Sequence, residues 1–425
     1  MNSINVEHDI NIHLENKGVS RRFFMYIFIV YTFVCMTKNC FNGALADIVQ
    51  EGVLTKSQTG LITALFYIVY TPLQIVGGIA ADKFSPERML KIGLVGAAIA
   101  NTVIFFNQSY YVMLITWTLN GAVQFALWPS VYKIISSQLC RSDISYMVLL
   151  ITLSTSIGLF VSYAAAAAFS SWEYNFAFSA AGLFIGALGL HIYDRRIAKY
   201  MKPDYEPIKP IVTSENNSKH STISLFFKSG FLLLLIPIVA FTTVSQSSKT
   251  LFPVMLVETH AQSSTFGNLL NVLVALAAII GVLLFKFVLY PKIIKNEIVG
   301  MLVMMAIASL LILILIYTTA LSVTVIAFCA LSLITAIPLL LVVYFNSSFI
   351  KYGKNGTAAG ISNSAASLAY AISSYGIAKV AELYDWQAVK IVWLILSVLA
   401  VVLLATVYFI NKRFKRKENA GNTQP

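Results

Sequence analysis

Apolar and polar positions in this chain do not alternate; they separate into long blocks. Twelve mostly apolar stretches of roughly 20 or more residues follow one another, the length a helix needs to cross ~30 Å of hydrocarbon. The predicted spans are 23–46, 58–81, 90–108, 111–138, 146–169, 174–193, 230–257, 264–289, 298–318, 321–349, 357–381 and 388–411. The third and fourth are divided only by Asn107-Gln108-Ser109, and the ninth and tenth by Thr318-Thr319. Midway lies a polar segment, 194–229, rich in Lys, Glu, Pro, Asn and Ser. It reads as a linker between an N-terminal six-helix bundle (1–193) and a C-terminal six-helix bundle with a basic tail (230–425). Two helical halves flanking such a loop are the signature of parallel repeats with a midplane site. The expected fold class is therefore an all-α polytopic membrane protein with twelve transmembrane helices in two six-helix bundles. Residues 1–20 lack a basic region followed by a short apolar core, so no cleavable leader is expected and the first span stays as a helix.

Composition agrees with the blocks. Hydrophobic residues make up 58% of the 425 and charged residues 11%, against about a quarter charged in a soluble domain. Four cysteines in this length exclude a disulfide scaffold. The net charge of +12 needs no nucleic acid, because the longest polar stretch is too short for a basic soluble domain. Its distribution follows topology instead. With the N-terminus inside, all but five of the 30 basic residues fall on inside segments or their flanks. The exceptions are Lys38, Lys56, Lys249, Lys379 and Lys390. The bias predicts a multi-pass protein of the plasma (cytoplasmic) membrane with both termini cytoplasmic. The tail Lys412-Arg413-Phe414-Lys415-Arg416-Lys417 would hold the last helix at an anionic leaflet.

Candidate chemistry lies in the charges that stay within the blocks. Lys38 falls 16 residues past Arg22, ~24 Å along a helix. Lys249 lies deep in the seventh span, the equivalent helix of the second half. An intramembrane lysine costs a few kcal/mol and usually faces a water-filled path; the alternative is snorkelling to the interface. All 18 acidic residues fall at predicted helix ends or in loops, so no carboxylate is expected at membrane depth to carry a proton or pair with a cation. Two unpaired ammonium groups in one cleft favour an anion, although Lys lacks the planar fork of Arg. Tyr67, Gln124, Trp128, Asn271, Tyr344 and Asn363 are expected to complete a substrate site; for each the plain alternative is an interhelical contact. Pro129 is expected to kink the fourth helix. No cofactor, no metal and no catalytic residue are expected: histidines do not cluster, no phosphate-binding loop is present, and Cys35 and Cys40 read as packing residues.

The loop after the second span runs Gly77-Gly78-Ile79-Ala80-Ala81-Asp82-Lys83, with Arg88 beyond. Gly78, Asp82 and Arg88 are either an inside latch between the halves or an ordinary charged turn. Gly78-x3-Asp82-Lys83, the run Phe66-Tyr67-x2-Tyr70-x3-Gln74-x2-Gly77, the run Gly121-x2-Gln124-x3-Trp128-Pro129-x3-Lys133, and Gly356-Thr357-Ala358-Ala359-Gly360 together resemble the major facilitator superfamily. Within it they resemble the organophosphate:phosphate antiporters, which exchange glycerol-3-phosphate or hexose phosphates. The resemblance implies two bundles rocking about one central site, and phosphate held by an Arg on helix 1 and another on helix 7. Here Thr37 and Ser245 stand at those positions, while Lys38 matches the Lys beside the first. Lys133 reads as a structural or gating charge. Small residues of helix 5 (164–168) and helix 11 (Gly356, Gly360) are expected to let those two helices approach each other across the halves.

The leading reading is a non-enzymatic secondary transporter of a small organic anion, organophosphate or carboxylate, expected to be monomeric. Its partners would be the solute, the bilayer and, left open, a counter-transported anion or proton. The alternatives are an efflux carrier of neutral or amphipathic compounds and a transporter-like solute sensor.

Overall fold

The computed structural model describes residues 11–14, 16–197, 200–204, 222–349, 352 and 354–421. Twelve long helices account for nearly all of them. In the first half these are α1 (Lys17–Gln50), α2 (Lys56–Lys83), α3 (Pro86–Phe106), α4 (110–138), α5 (Ile144–Ala168) and α6 (Glu173–Ile197). In the second half they are α7 (Phe231–His260), α8 (264–292), α9 (Glu297–Tyr317), α10 (Leu321–Ser347), α11 (355–383) and α12 (Trp386–Gly421). Among the described residues nine helices are apolar and long enough to cross a membrane. The other three, α2, α4 and α11, border the space between the halves.

Starts are fixed by polar caps. Asn16 accepts from the backbone of Gly18 and Val19, Thr55 forms a reciprocal capping box with Gln58, and Ser85 precedes Pro86 at the first turn of α3. Breaks have local causes too. In α4, Pro129 has no N–H for the Phe125 carbonyl, and the helix tightens to a 3-10 turn at Gln124–Ala126. The released Phe125 oxygen lies where a Cβ on Gly77 of α2 would come within 2.6 Å, so glycine is required there. Helix α1 divides at Asn39, whose backbone leaves the helix (φ −107°, ψ 4°).

Each half packs its own core. Trp117, Phe41, Phe66 and Phe176 meet inside the first, and Phe252, Phe328 and Trp393 inside the second. Large apolar side chains such as Ile92, Ile99 and Phe106 face outward, as a lipid-solvated surface allows.

Several sequence-based expectations are corrected. Between the halves α5 packs on α8, and α11 packs on α2; α5 and α11 do not pair as expected. Gly360 has nothing within 4 Å of a would-be Cβ, so it serves no close approach. Helix α12 runs on to Gly421 rather than ending at 411. The expected linker is not wholly irregular: Met201–Asp204 pairs antiparallel with Asn11–Leu14, and Thr222–Lys228 is helical. These segments are too short to carry a periodic signal.

Candidate functional site

A cavity of about 370 Å³ lies between the halves, lined by α1, α2, α4 and α5 on one side and α7, α8, α10 and α11 on the other. Its position follows from the break in α1. Asn39 donates from its side chain to the Cys35 carbonyl (2.8 Å) and accepts from the Asn42 amide (3.0 Å), while the Ser162 hydroxyl donates to the Asn39 carbonyl (2.9 Å). Polar groups freed at membrane depth are thus taken up locally. Behind the break, Gly158 of α5 lies so close that a Cβ would come within 2.6 Å of the Met36 backbone nitrogen.

The break presents Lys38 to the cavity. Its ammonium donates to the Tyr70 hydroxyl (2.9 Å), which also accepts from the Gln74 amide (2.7 Å). The Gln74 carbonyl accepts from Asn363 of α11 (2.7 Å). One hydrogen-bonded chain therefore runs from α1 through α2 to the other half. Lys249 faces the same cavity from α7 and donates to Ser245 one turn earlier (2.9 Å). Among the described lining residues these lysines are the charged groups, and there is no carboxylate. Aromatic rings form much of the wall. Tyr67 lies 5.0 Å from Tyr370 across α2 and α11, and Trp128 lies 5.4 Å from Tyr31.

Of the residues singled out from sequence, Lys38, Lys249, Tyr67, Trp128 and Asn363 line the cavity. Gln124, Asn271 and Tyr344 do not. Gln124 is buried and donates to Asn120 on its own helix (2.9 Å). Asn271 donates to the Lys249 carbonyl (2.8 Å) from behind. Tyr344 packs against Tyr290, with ring centroids 4.0 Å apart. Thr37, where the resemblance implies an Arg, is turned away and bonds to Ser179 of α6. Ser245, at the second such position, lines the cavity. Charge is thus present one residue along from the first Arg position and one turn along from the second. Asn39, Tyr31, Thr155 and Ser367 also line the site. Nothing in their sequence setting separates them from packing residues.

The two ends of the cavity differ. The end carrying the α1–α2, α7–α8 and α11–α12 loops is sealed by several inter-half contacts. Lys56 pairs with Glu258 (2.8 Å), the Ser57 backbone donates to Glu382 (2.8 Å), and Asn268 donates to Asp47 (3.1 Å). Gly60 of α2 sits directly on the Ser374 carbonyl within a π-helical turn of α11. Burial would raise the Glu382 carboxyl, but hydrogen bonds from Ser57 and Thr55 outweigh it and hold the group at about 2. At the other, basic end the inter-half contacts include the Gln74–Asn363 bond and Lys286 over the Tyr146 ring at 5.8 Å.

The gating candidates lie toward that basic end. Arg88 is exposed on the first turn of α3, and Lys133 is half-buried on α4. Gly78 and Asp82 fall in the last turns of α2 and Gly356 in the first turn of α11; beyond that helical placement, they lie outside what the structure describes.

Residues 27–374 match the family model of the Major Facilitator Superfamily. Among curated proteins the chain is 33% identical over 104 residues to the membrane sensor protein UhpC of Escherichia coli, covering 24% of each. It is 25% identical over 122 residues to a probable hexose phosphate transport protein of Chlamydia trachomatis, covering 29% of this chain and 27% of the relative. These alignments span about a quarter of the relatives' length. Among solved structures, a bacterial homolog of the human lysosomal transporter Spinster superposes with a TM-score of 0.68 at 14% identity, covering 94% of this chain and 98% of that one. A POT family transporter gives 0.71 at 12%, covering 92% and 96%. At such identities the structural likeness concerns the fold alone.

Proposed function

The chain belongs to the Major Facilitator Superfamily, and from that premise we propose that it is a secondary transporter carrying a small organic anion by rocking its two bundles about the central cavity. The observation that carries this reading is the pair of lysines, one from each half, facing a single cavity with no carboxylate among its described lining residues. In a low-dielectric cleft two ammonium groups favour a carboxylate or phosphate over a cation. The likeness to hexose phosphate transport proteins supports an organophosphate. Single-point contacts from Lys suit a phosphate monoester or a carboxylate equally. A counter-transported anion or a proton would complete the cycle. The protein would sit in the cytoplasmic membrane with both termini inside, its sealed end outward.

A second reading is supported by the sequence likeness to membrane sensor proteins: a solute sensor on a transporter fold, which binds and signals without net flux.

The test is a thermal-shift panel of phosphate esters, carboxylates, sugars and amines on purified wild type and Lys38→Gln. A ligand that binds only the folded protein raises Tm. An anion that stabilises wild type but not the variant is the expected result. Equal responses of the two proteins, or a response to amines alone, would overturn the anion site. Exchange in proteoliposomes then separates carrier from sensor.

A further inference from the structure

Away from the cavity, at the basic end, the short helix Thr222–Lys228 and the extension of α12 enclose a pocket of about 900 Å³. We propose that this pocket binds the phosphate headgroup of an anionic phospholipid, with the short helix lying in the membrane interface beside it.

Charge is the first ground. Lys228, Arg413, Arg416 and Lys417 line the pocket, and the last three, spaced i, i+3 and i+4, share one face of α12. The acidic group there, Glu418, already accepts a hydrogen bond from Tyr352. Depth is the second. The apolar run of α12 ends at Ile410. From Arg413 to Lys417 the helix rises ~6 Å, matching the ~5–8 Å of headgroup region on each side of the hydrocarbon.

The short helix supplies the third. Leu225 and Phe226 are buried, and the Phe226 ring meets Phe231 at 4.6 Å and Phe349 at 5.2 Å. Ile223 and Phe227, one turn apart on another face, are 73% and 74% exposed. Two large apolar side chains turned outward beside four cations suit the boundary between headgroups and acyl chains. A free phosphate would engage the cations alone and make no use of Ile223 and Phe227. The pocket is also held in shape: Asn411 of α12 donates to the Ser229 carbonyl (3.0 Å), and Gly230 turns the chain into α7 at φ +80°.

Native mass spectrometry of the full chain released from nanodiscs of phosphatidylcholine with a minority of phosphatidylglycerol reads lipid retention directly. Wild type should retain phosphatidylglycerol in preference to phosphatidylcholine. The triple variant Arg413→Gln/Arg416→Gln/Lys417→Gln should lose that retention about tenfold or more, while Lys412→Gln/Lys415→Gln should keep it. No preference in wild type, or an equal loss in the double variant, would overturn the site. A second arm separates the phosphate sources. Phe227→Ser should reduce retention of phosphatidylglycerol and leave any stabilisation by inorganic phosphate unchanged. If inorganic phosphate displaces the lipid from wild type and Phe227→Ser retains as much lipid as wild type, the ligand is a soluble phosphate and the lipid proposal falls. Should the triple variant fold poorly, the wild-type preference and the Phe227→Ser arm decide by themselves.

Discussion

Gly60→Ala is expected to open the sealed end. A Cβ at this position would lie 2.1 Å from the Ser374 carbonyl oxygen and 3.2 Å from the Ala378 Cβ. Ordinary contact begins near 3.4 Å, so the deficit against the carbonyl is 3.4 − 2.1 = 1.3 Å. The obstacle is backbone, which no rotamer change relieves, and α2 and α11 must move apart. Overpacking of this kind costs about 1–3 kcal/mol. Alanine gains about 0.5–1 kcal/mol over glycine inside a helix, but α2 is helical whether the end is shut or open, so this gain cancels between the two states. The clash therefore acts in full on their ratio, a shift of roughly 5–150-fold toward the open form. Gly360→Ala is the internal control, because nothing lies within 4 Å of its Cβ. It should leave the ratio unchanged and raise stability slightly. Spin labels at the exposed positions Val53 and Tyr384, in a background without the native cysteines, report the separation by pulsed paramagnetic resonance. Gly60→Ala should add a population at longer distance. An unchanged distribution, or an equal change in Gly360→Ala, would refute the close-packing argument.

Two further outcomes follow from the same geometry. Glu382, with a carboxyl held at about 2 against an ordinary 4.5, favours the sealed form as a carboxylate; that contribution is complete above 4.5 and is lost as pH falls through about 2. Melting curves between neutral pH and pH ~3 should show a steeper acid loss for wild type than for Glu382→Gln, and parallel curves would show that the Ser57 contact contributes nothing. Asn39→Ala removes the side chain that caps the break in α1, leaving the buried Cys35 carbonyl without its donor, a loss of about 1–3 kcal/mol. Tm without added solute should fall by several degrees, and an unaltered Tm would mean that the break is held by Ser162 alone.

The architecture was legible because lipid imposes it. A helix that must span hydrocarbon needs an unbroken apolar run, and its charges must stand out, which is why Lys38 and Lys249 could be placed on the cavity from sequence. Neutral polar side chains carry no such compulsion. Gln124 and Asn271 use their amide N–H groups within or behind a helix and Tyr344 packs on Tyr290; each residue turns the direction by ~100°, so spacing alone does not separate them from Tyr67 and Asn363. Helix partners were illegible for a related reason. Small residues permit close approach without naming the neighbour: the stretch 164–168 suits α8 as well as α11, and Gly60, which sits directly on α11, looks in sequence like any helical glycine. The strand pair at Asn11–Leu14 and Met201–Asp204 brings together segments some 190 residues apart, and no local pattern encodes that meeting.

The bridge from Lys38 through Tyr70 and Gln74 to Asn363 crosses the cavity from one half to the other. Lys38 already commits one of its three N–H donors to the Tyr70 phenol, so an anion that took that donor would show as affinity only the difference between the two bonds. Because the far end of the bridge is anchored in the other half, whatever loosens it also changes how firmly the halves hold together at the basic end. Reciprocity then works in both directions: a solute that weakens the bridge favours separation there, and separation favours that solute by the same factor. In this sense the resting protein carries a built-in competitor, and its strength sets how much of a solute's binding energy is left over to move the bundles.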